Sequence, residues 1–171
     1  TSSLAVFGDT QGRMVDETCY RGGPWLTEYD RTKWSAHYDV AVPMMRSGLP
    51  LVIVQPGLVY GPGDHSAVRD TFLQYLQRRL PALPEKTACC WGFVDDIAHA
   101  HVLAMERGRA GEAYIIAGPR HSLVEAFEVA ERMTGIPAPT LHPSPATMRA
   151  LARIMGVVER EQSRAYAVGD R

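Results

Sequence analysis

The chain has 171 residues, 46% of them apolar, a formal net charge of −1 and a pI near 6.6. That composition can bury one core and excludes collagen-like and disordered classes, while scattered basic residues on a nearly neutral chain give no general pull toward nucleic acid or an acidic bilayer. Three cysteines without metal spacing (Cys19, Cys89, Cys90), no signal peptide and no run of about 18 apolar residues lead to the expectation of a reduced, cytoplasmic, non-membrane protein.

In chain order, Leu4, Val6 and Phe7 read as the end of a strand leading into Gly8-Asp9, and residues 8 to 25 read as loop, with Gly22-Gly23-Pro24 in it. Thr27 with Asp30 is a capping box, opening a helix that should run to about Ser47 and kink at Pro43, whose ring nitrogen cannot serve the Asp39 carbonyl. LVIVQ, from Leu51, is a short continuous apolar run expected to be a strand buried on both faces. Ser66 to Leu80 has helical periodicity through Val68, Phe72, Tyr75, Leu76 and Leu80. Residues 88 to 94 read as a strand, and Asp95 as the cap of a helix ending at Arg107. Residues 113 to 117 form another buried strand. Ser122 with Glu125 caps a helix stopped by Gly135, and Ser144-Pro145 starts a last helix with Met148, Leu151, Met155 and Val158 on one stripe.

Helices alternating with apolar strands give an α/β class with a parallel sheet. One domain is expected, with residues 136–171 as a helical C-terminal segment.

Tyr29 and Lys33 stand one helical turn apart, so an ammonium is placed to favour a phenolate over a phenol of ordinary pKa about 10. An exposed helix pair with the Tyr on a Lys stem is the alternative reading. Pro56-Gly57 follows a strand at the carboxyl edge where doubly wound folds bind ligands, and reads either as a plain turn or as a ligand contact. Asp95-Asp96 reads as a cap and dipole partner in preference to an acid/base pair, and the six histidines form no metal set. Trp34, Tyr38, Ala41 and Met45 make an apolar flank on the Tyr29 helix, either a partner surface or core against the chain's own sheet.

The segments TSSLAVFG, YDRTK, VIVQPGLVYGPGD and WGFVDDIAHAHVLAME with GEAYIIAG occur in an order that resembles the extended short-chain dehydrogenase/reductases, the NAD-dependent epimerase/dehydratase family, from Ser2 to about Gly135. The resemblance implies a catalytic trio of Ser3, Tyr29 and Lys33. It further implies an NAD or NADP cofactor held by Tyr29, Lys33, Pro56, Gly57, Leu58 and Val59, a small-molecule substrate, and a homodimer through the Tyr29/Lys33 helix. No metal is implied. Two further expectations follow from comparing this chain with the family. The dinucleotide-binding Gly-rich turn is absent, so the chain reads as a C-terminal part: the later half of a Rossmann-like doubly wound parallel sheet with a small C-terminal substrate-binding region, unable alone to hold cofactor. QPGLVYGP lacks the Asn that many sugar-nucleotide members carry, which tilts the reading from epimerase or dehydratase toward a dihydroflavonol-reductase or hydroxysteroid-dehydrogenase type.

Overall fold

A computed structural model describes residues 1–25, 27–144, 146, 147 and 150. The chain forms two compact units, the first from Thr1–Arg69 and Ala88–His121, the second from Asp70–Thr87 and the chain from Ser122 onward.

In the first unit, β1 (Ile53–Pro56) and β4 (Ala113–Ile116) pair in parallel with Ile53 opposite Ala113 and Pro56 opposite Ile116. Ile53, Val54 and Gln55 are all buried, as a continuous apolar run covered on both faces requires. The Ser2 amide donates to the Val54 carbonyl at 2.7 Å, which ties the start of the chain to β1. Leu4–Phe7 then close a 3-10 turn whose Val6 and Phe7 are core residues. A second sheet runs β2 (Leu58–Tyr60), β3 (Ala88–Phe93), β5 (Arg120–Ser122), with β2 and β3 parallel and Leu58 opposite Trp91. β2 and β5 are too short to have announced themselves as periodic segments.

The long helix expected from Thr27 is divided into α1 (Glu28–Trp34), a π-helical stretch (Ser35–Ala41) and α2 (Val42–Arg46). Both arms of the capping box form, the Asp30 amide donating to the Thr27 hydroxyl and the Thr27 amide to the Asp30 carboxylate. The kink expected at Pro43 takes the form of a wider register just before it: the Val42 amide donates to the His37 carbonyl, an i to i+5 bond. Asp95 is not the cap of its helix. α4 (Val94–Arg107) starts two residues earlier, with Phe93 as an N-cap that makes no side-chain bond, and Asp95 and Asp96 lie in the first turn as charge for the helix dipole.

The second unit takes most of α3 (Ala67–Leu76) and all of α5 (Leu123–Thr134), around a core of Tyr75, Leu83 and Phe127. Phe127 stacks on Phe72 at 4.8 Å and meets Tyr75 edge-on at 5.1 Å. α3 stops four residues short of the expected Leu80, because Arg78 turns left-handed (φ 56°) and the Arg79 amide bonds back to the Gln74 carbonyl. α5 follows expectation at both ends, with a complete Ser122/Glu125 box and Gly135 at φ 68°. At the expected start of the last helix the Ser144 hydroxyl accepts from the Thr147 amide at 3.2 Å, while Met148, Leu151, Met155 and Val158 lie outside the described residues.

Candidate active site

The expected site residues all lie in the first unit. Tyr29 and Lys33 share one outward face of α1: the phenol is 55% exposed, and the Lys33 Nζ stands 5.8 Å from the centre of the Tyr29 ring. Among the described residues neither polar tip is taken up by a hydrogen bond or ion pair, the ion pair of α1 being made between Glu28 and Arg31. The two groups are therefore offered to a ligand together.

Ser3 stands at the N-terminal end of the 3-10 turn, where its hydroxyl oxygen accepts from the Ala5 amide at 3.2 Å. With its oxygen so engaged, the hydroxyl proton points to what it can do: donate to an external oxygen. The two preceding hydroxyls are tied elsewhere, Thr1 to His101 Nε2 at 3.2 Å and Ser2 to His37 Nδ1 at 2.8 Å. His37 is 6% exposed, and its burial pushes the imidazole below its ordinary pKa. His37 lies about two helical turns beyond Tyr29, and in the sequence it counts among the histidines that form no metal set. Its bond to Ser2 was not legible, because that contact joins residues 35 positions apart.

Of the expected nicotinamide contacts, Pro56 ends β1, while Leu58 and Val59 lie in β2, all half-buried. Gly57 between them is a packing position: its amide donates to the Ile116 carbonyl, and a Cβ there would come within 2.3 Å of the Cys90 carbonyl oxygen. Beside it the sequence overlooked Gln55, 1% exposed, whose carbonyl oxygen has no hydrogen-bond partner among the described residues.

The apolar flank of the Tyr29 helix meets the chain's own loop. Trp34 packs against Trp25 and Tyr38 at 5.0 and 5.2 Å, Tyr20 meets Tyr38 edge-on at 5.0 Å, and the Tyr38 hydroxyl donates to the Cys19 carbonyl. Tyr20, Trp34 and Tyr38 border a cavity of about 490 Å³ that also touches Asp39, Val42 and Arg46.

The sequence model of the NAD dependent epimerase/dehydratase family matches residues 1–117. The chain belongs to that family. It is 32% identical over 138 residues to sterol demethylase protein B of Methylococcus capsulatus, covering 78% of this chain and 41% of that relative. Among solved structures it is similar to gox2253 (28% identity, TM-score 0.80, 95% of this chain and 50% of that one) and, at 24% identity, to a nucleoside-diphosphate-sugar epimerase from Pseudomonas aeruginosa (TM-score 0.77, 91% and 52%). The fold also matches a dTDP-glucose 4,6-dehydratase from Bacillus anthracis in complex with NAD, at 22% identity (TM-score 0.68, 84% and 48%). The chain thus spans about half the length of these solved structures.

The family match bears out the open Rossmann-like α/β class and a nicotinamide cofactor, NAD(P), in an enzyme family. It corrects one expectation. The chain is not a C-terminal remnant outside the cofactor-binding region, since the family's model runs over residues 1–117. A Gly-rich turn serves the pyrophosphate alone, so its absence could not stand for the absence of the region that meets ribose and nicotinamide. The tilt toward a dihydroflavonol reductase or hydroxysteroid dehydrogenase is not supported as a specific reaction, and epimerase/dehydratase chemistry is the better backed of the two. No helix among the described residues is long and apolar enough to cross a membrane.

The donor set fits a nicotinamide dinucleotide. An ammonium and a phenol on one exposed helix face suit ribose hydroxyls and a reacting oxygen, and among the described residues neither is consumed by an ion pair.

Proposed function

We propose that the protein catalyses NAD(P)-dependent hydride transfer at a hydroxyl-bearing carbon of a nucleotide sugar, as an epimerase or dehydratase. The observation that carries this reading is the shared outward face of Tyr29 and Lys33, 5.8 Å apart, in a chain whose family is named for that chemistry. A bound nicotinamide would supply a reversible hydride acceptor for the carbinol carbon. Tyr29 takes the proton of the substrate hydroxyl and gives it back. Lys33 stabilises the phenolate and donates to a ribose hydroxyl, Ser3 directs its proton to the substrate oxygen, and Pro56, Leu58 and Val59 flank the nicotinamide with apolar surface.

A second reading, oxidation of a sterol-type alcohol, is favoured by one observation: the 32% identical relative is a sterol demethylase protein B. Incubation with NAD(P) and either UDP- and dTDP-sugars or hydroxysterols separates the two. Conversion of a nucleotide sugar without net cofactor reduction supports the first, stoichiometric reduction with a sterol alone transfers the assignment to the second, and no turnover of either class overturns both.

A further inference from the structure

Three consecutive hydroxyl side chains lead into the 3-10 turn, and only that of Ser3 is held solely by its own turn. Ser2 is gripped from two sides: its amide donates to the Val54 carbonyl of β1 at 2.7 Å, and its hydroxyl bonds to Nδ1 of His37 at 2.8 Å. His37 in turn belongs to the π-helical stretch that continues α1, four residues beyond Lys33. A buried polar ring in such a place loses free energy unless it finds a partner, so the bond to Ser2 is one that the fold has reason to keep. π-helical turns also recur at functional sites, because the extra residue re-aims the side chains it carries.

We infer that His37 is a positioning residue: through Ser2 it locks the segment that carries Ser3 into the 3-10 turn to the helix that carries Tyr29 and Lys33. This inference rests on the proposed roles of those three residues. The phenol and the serine hydroxyl must converge on one substrate oxygen, yet they come from segments 26 positions apart in the sequence. The Ser2–His37 bond is the direct polar link between the two segments, one residue from Ser3 and one turn from Lys33. A displacement of about 1 Å at a reacting group is enough to lower rate by roughly 10²-fold, so a link of this kind has leverage on turnover without touching substrate.

The test uses Ser2→Ala, His37→Leu, their combination, and His37→Asn, whose side-chain amide occupies nearly the position of Nδ1. Two quantities are read: kcat and KM for nucleotide sugar, and the chemical shift of the Ala5 amide, which reports the Ser3 hydroxyl it donates to. The expected result is a fall in kcat of roughly tenfold or more in Ser2→Ala and His37→Leu, with little change in KM, no further loss in the double variant, and recovery in His37→Asn. The Ala5 amide shift should move in the first two variants and return in the last. An Ala5 shift unmoved in Ser2→Ala, a variant that leaves the core intact, overturns the inference, as does His37→Asn behaving like His37→Leu or additive losses in the double variant. If the wild-type protein turns over no substrate but the Ala5 shift follows the expected pattern, the functional reading falls and the mechanical link stands.

Discussion

The phenol of Tyr29 differs from the other tyrosines near it in what its surroundings leave it free to do. Tyr38 is half-buried, its hydroxyl is committed to the Cys19 carbonyl, and burial pushes its pKa up, with Cys19 and Tyr20 adding to the effect. Tyr29 is open to a ligand and has an ammonium over its ring. Tyr29→Phe should therefore cut turnover at least about 10²-fold with cofactor affinity kept; calorimetry beside steady-state rates checks it, and survival of a tenth of the activity would defeat it. Lys33→Ala should weaken cofactor binding and turnover together, because the proposed function gives its one ammonium, which stands by the Tyr29 ring, both the phenol and the ribose to serve. Unchanged cofactor affinity in that variant would remove the second role. His37 offers a measurement independent of catalysis. Its burial lowers the pKa in the folded state, so between that value and about 6.5 the unfolded chain binds more protons and stability rises with pH. The contribution is complete above the unfolded value and lost as pH falls through the window below it. The melting temperature of the wild type should consequently drop more steeply than that of His37→Asn as pH falls from about 7 to 5, and parallel curves would show that His37 does not titrate in this way.

At the scale of elements, the local signals were legible where a few adjacent residues determine the outcome. Both capping boxes, Thr27 with Asp30 and Ser122 with Glu125, form as read, because each needs residues only three apart. The strands at Ile53 and Ala113 were equally plain, since apolar runs of that length have few other uses, although β1 is buried while β4, expected to be buried as well, is only half-buried along its length. What escaped the sequence depends on partners far along the chain. β2 and β5 exist because β3 lies between them, and the π-helical register reflects a conflict between Pro43 and the preceding turn that a helical wheel does not contain. Of the candidate site, Tyr29 with Lys33 was visible from their spacing, whereas the grip on Ser2 and the unpartnered Gln55 carbonyl emerged only with the fold. Gly57 shows the same division. Its sequence leaves a plain turn and a ligand contact open, while the fold adds that it stands where β1 gives way to β2 under the Cys90 carbonyl, with Ala117 Cβ 2.8 Å from where a Gly57 Cβ would stand. Gly57→Ala should lower stability by about 1–3 kcal/mol or more, as overpacking against backbone does. Denaturant titration measures the loss, and a variant as stable as wild type would mean that the strand junction yields freely.

On the scale of the whole molecule, the candidate chemistry and the core of Tyr75, Leu83 and Phe127 are housed in different units. Tyr29, Lys33, Ser3 and Pro56–Val59 belong to the first, whereas Tyr75, Leu83 and Phe127 close the second. The Tyr75 hydroxyl donates to the Ile136 carbonyl and meets the Thr134 hydroxyl at 3.1 Å, so the second core fastens the end of α5 by a polar bond as well as by rings. Phe127, 1% exposed between Phe72 and Tyr75, is its central filling. Removing that ring leaves a cavity the size of a phenyl group among side chains already packed, and Phe to Ala changes at such sites cost about 3–5 kcal/mol. Phe127→Ala should accordingly release amide protection first in residues 70–87 and 122–136, while β1, β4 and α1 exchange nearly as in wild type. Hydrogen exchange read by peptide mass checks this directly. Equal loss of protection around Tyr29 and Ile53 would show that the two units unfold as one, and the separation of site from core would then be a matter of contact pattern alone.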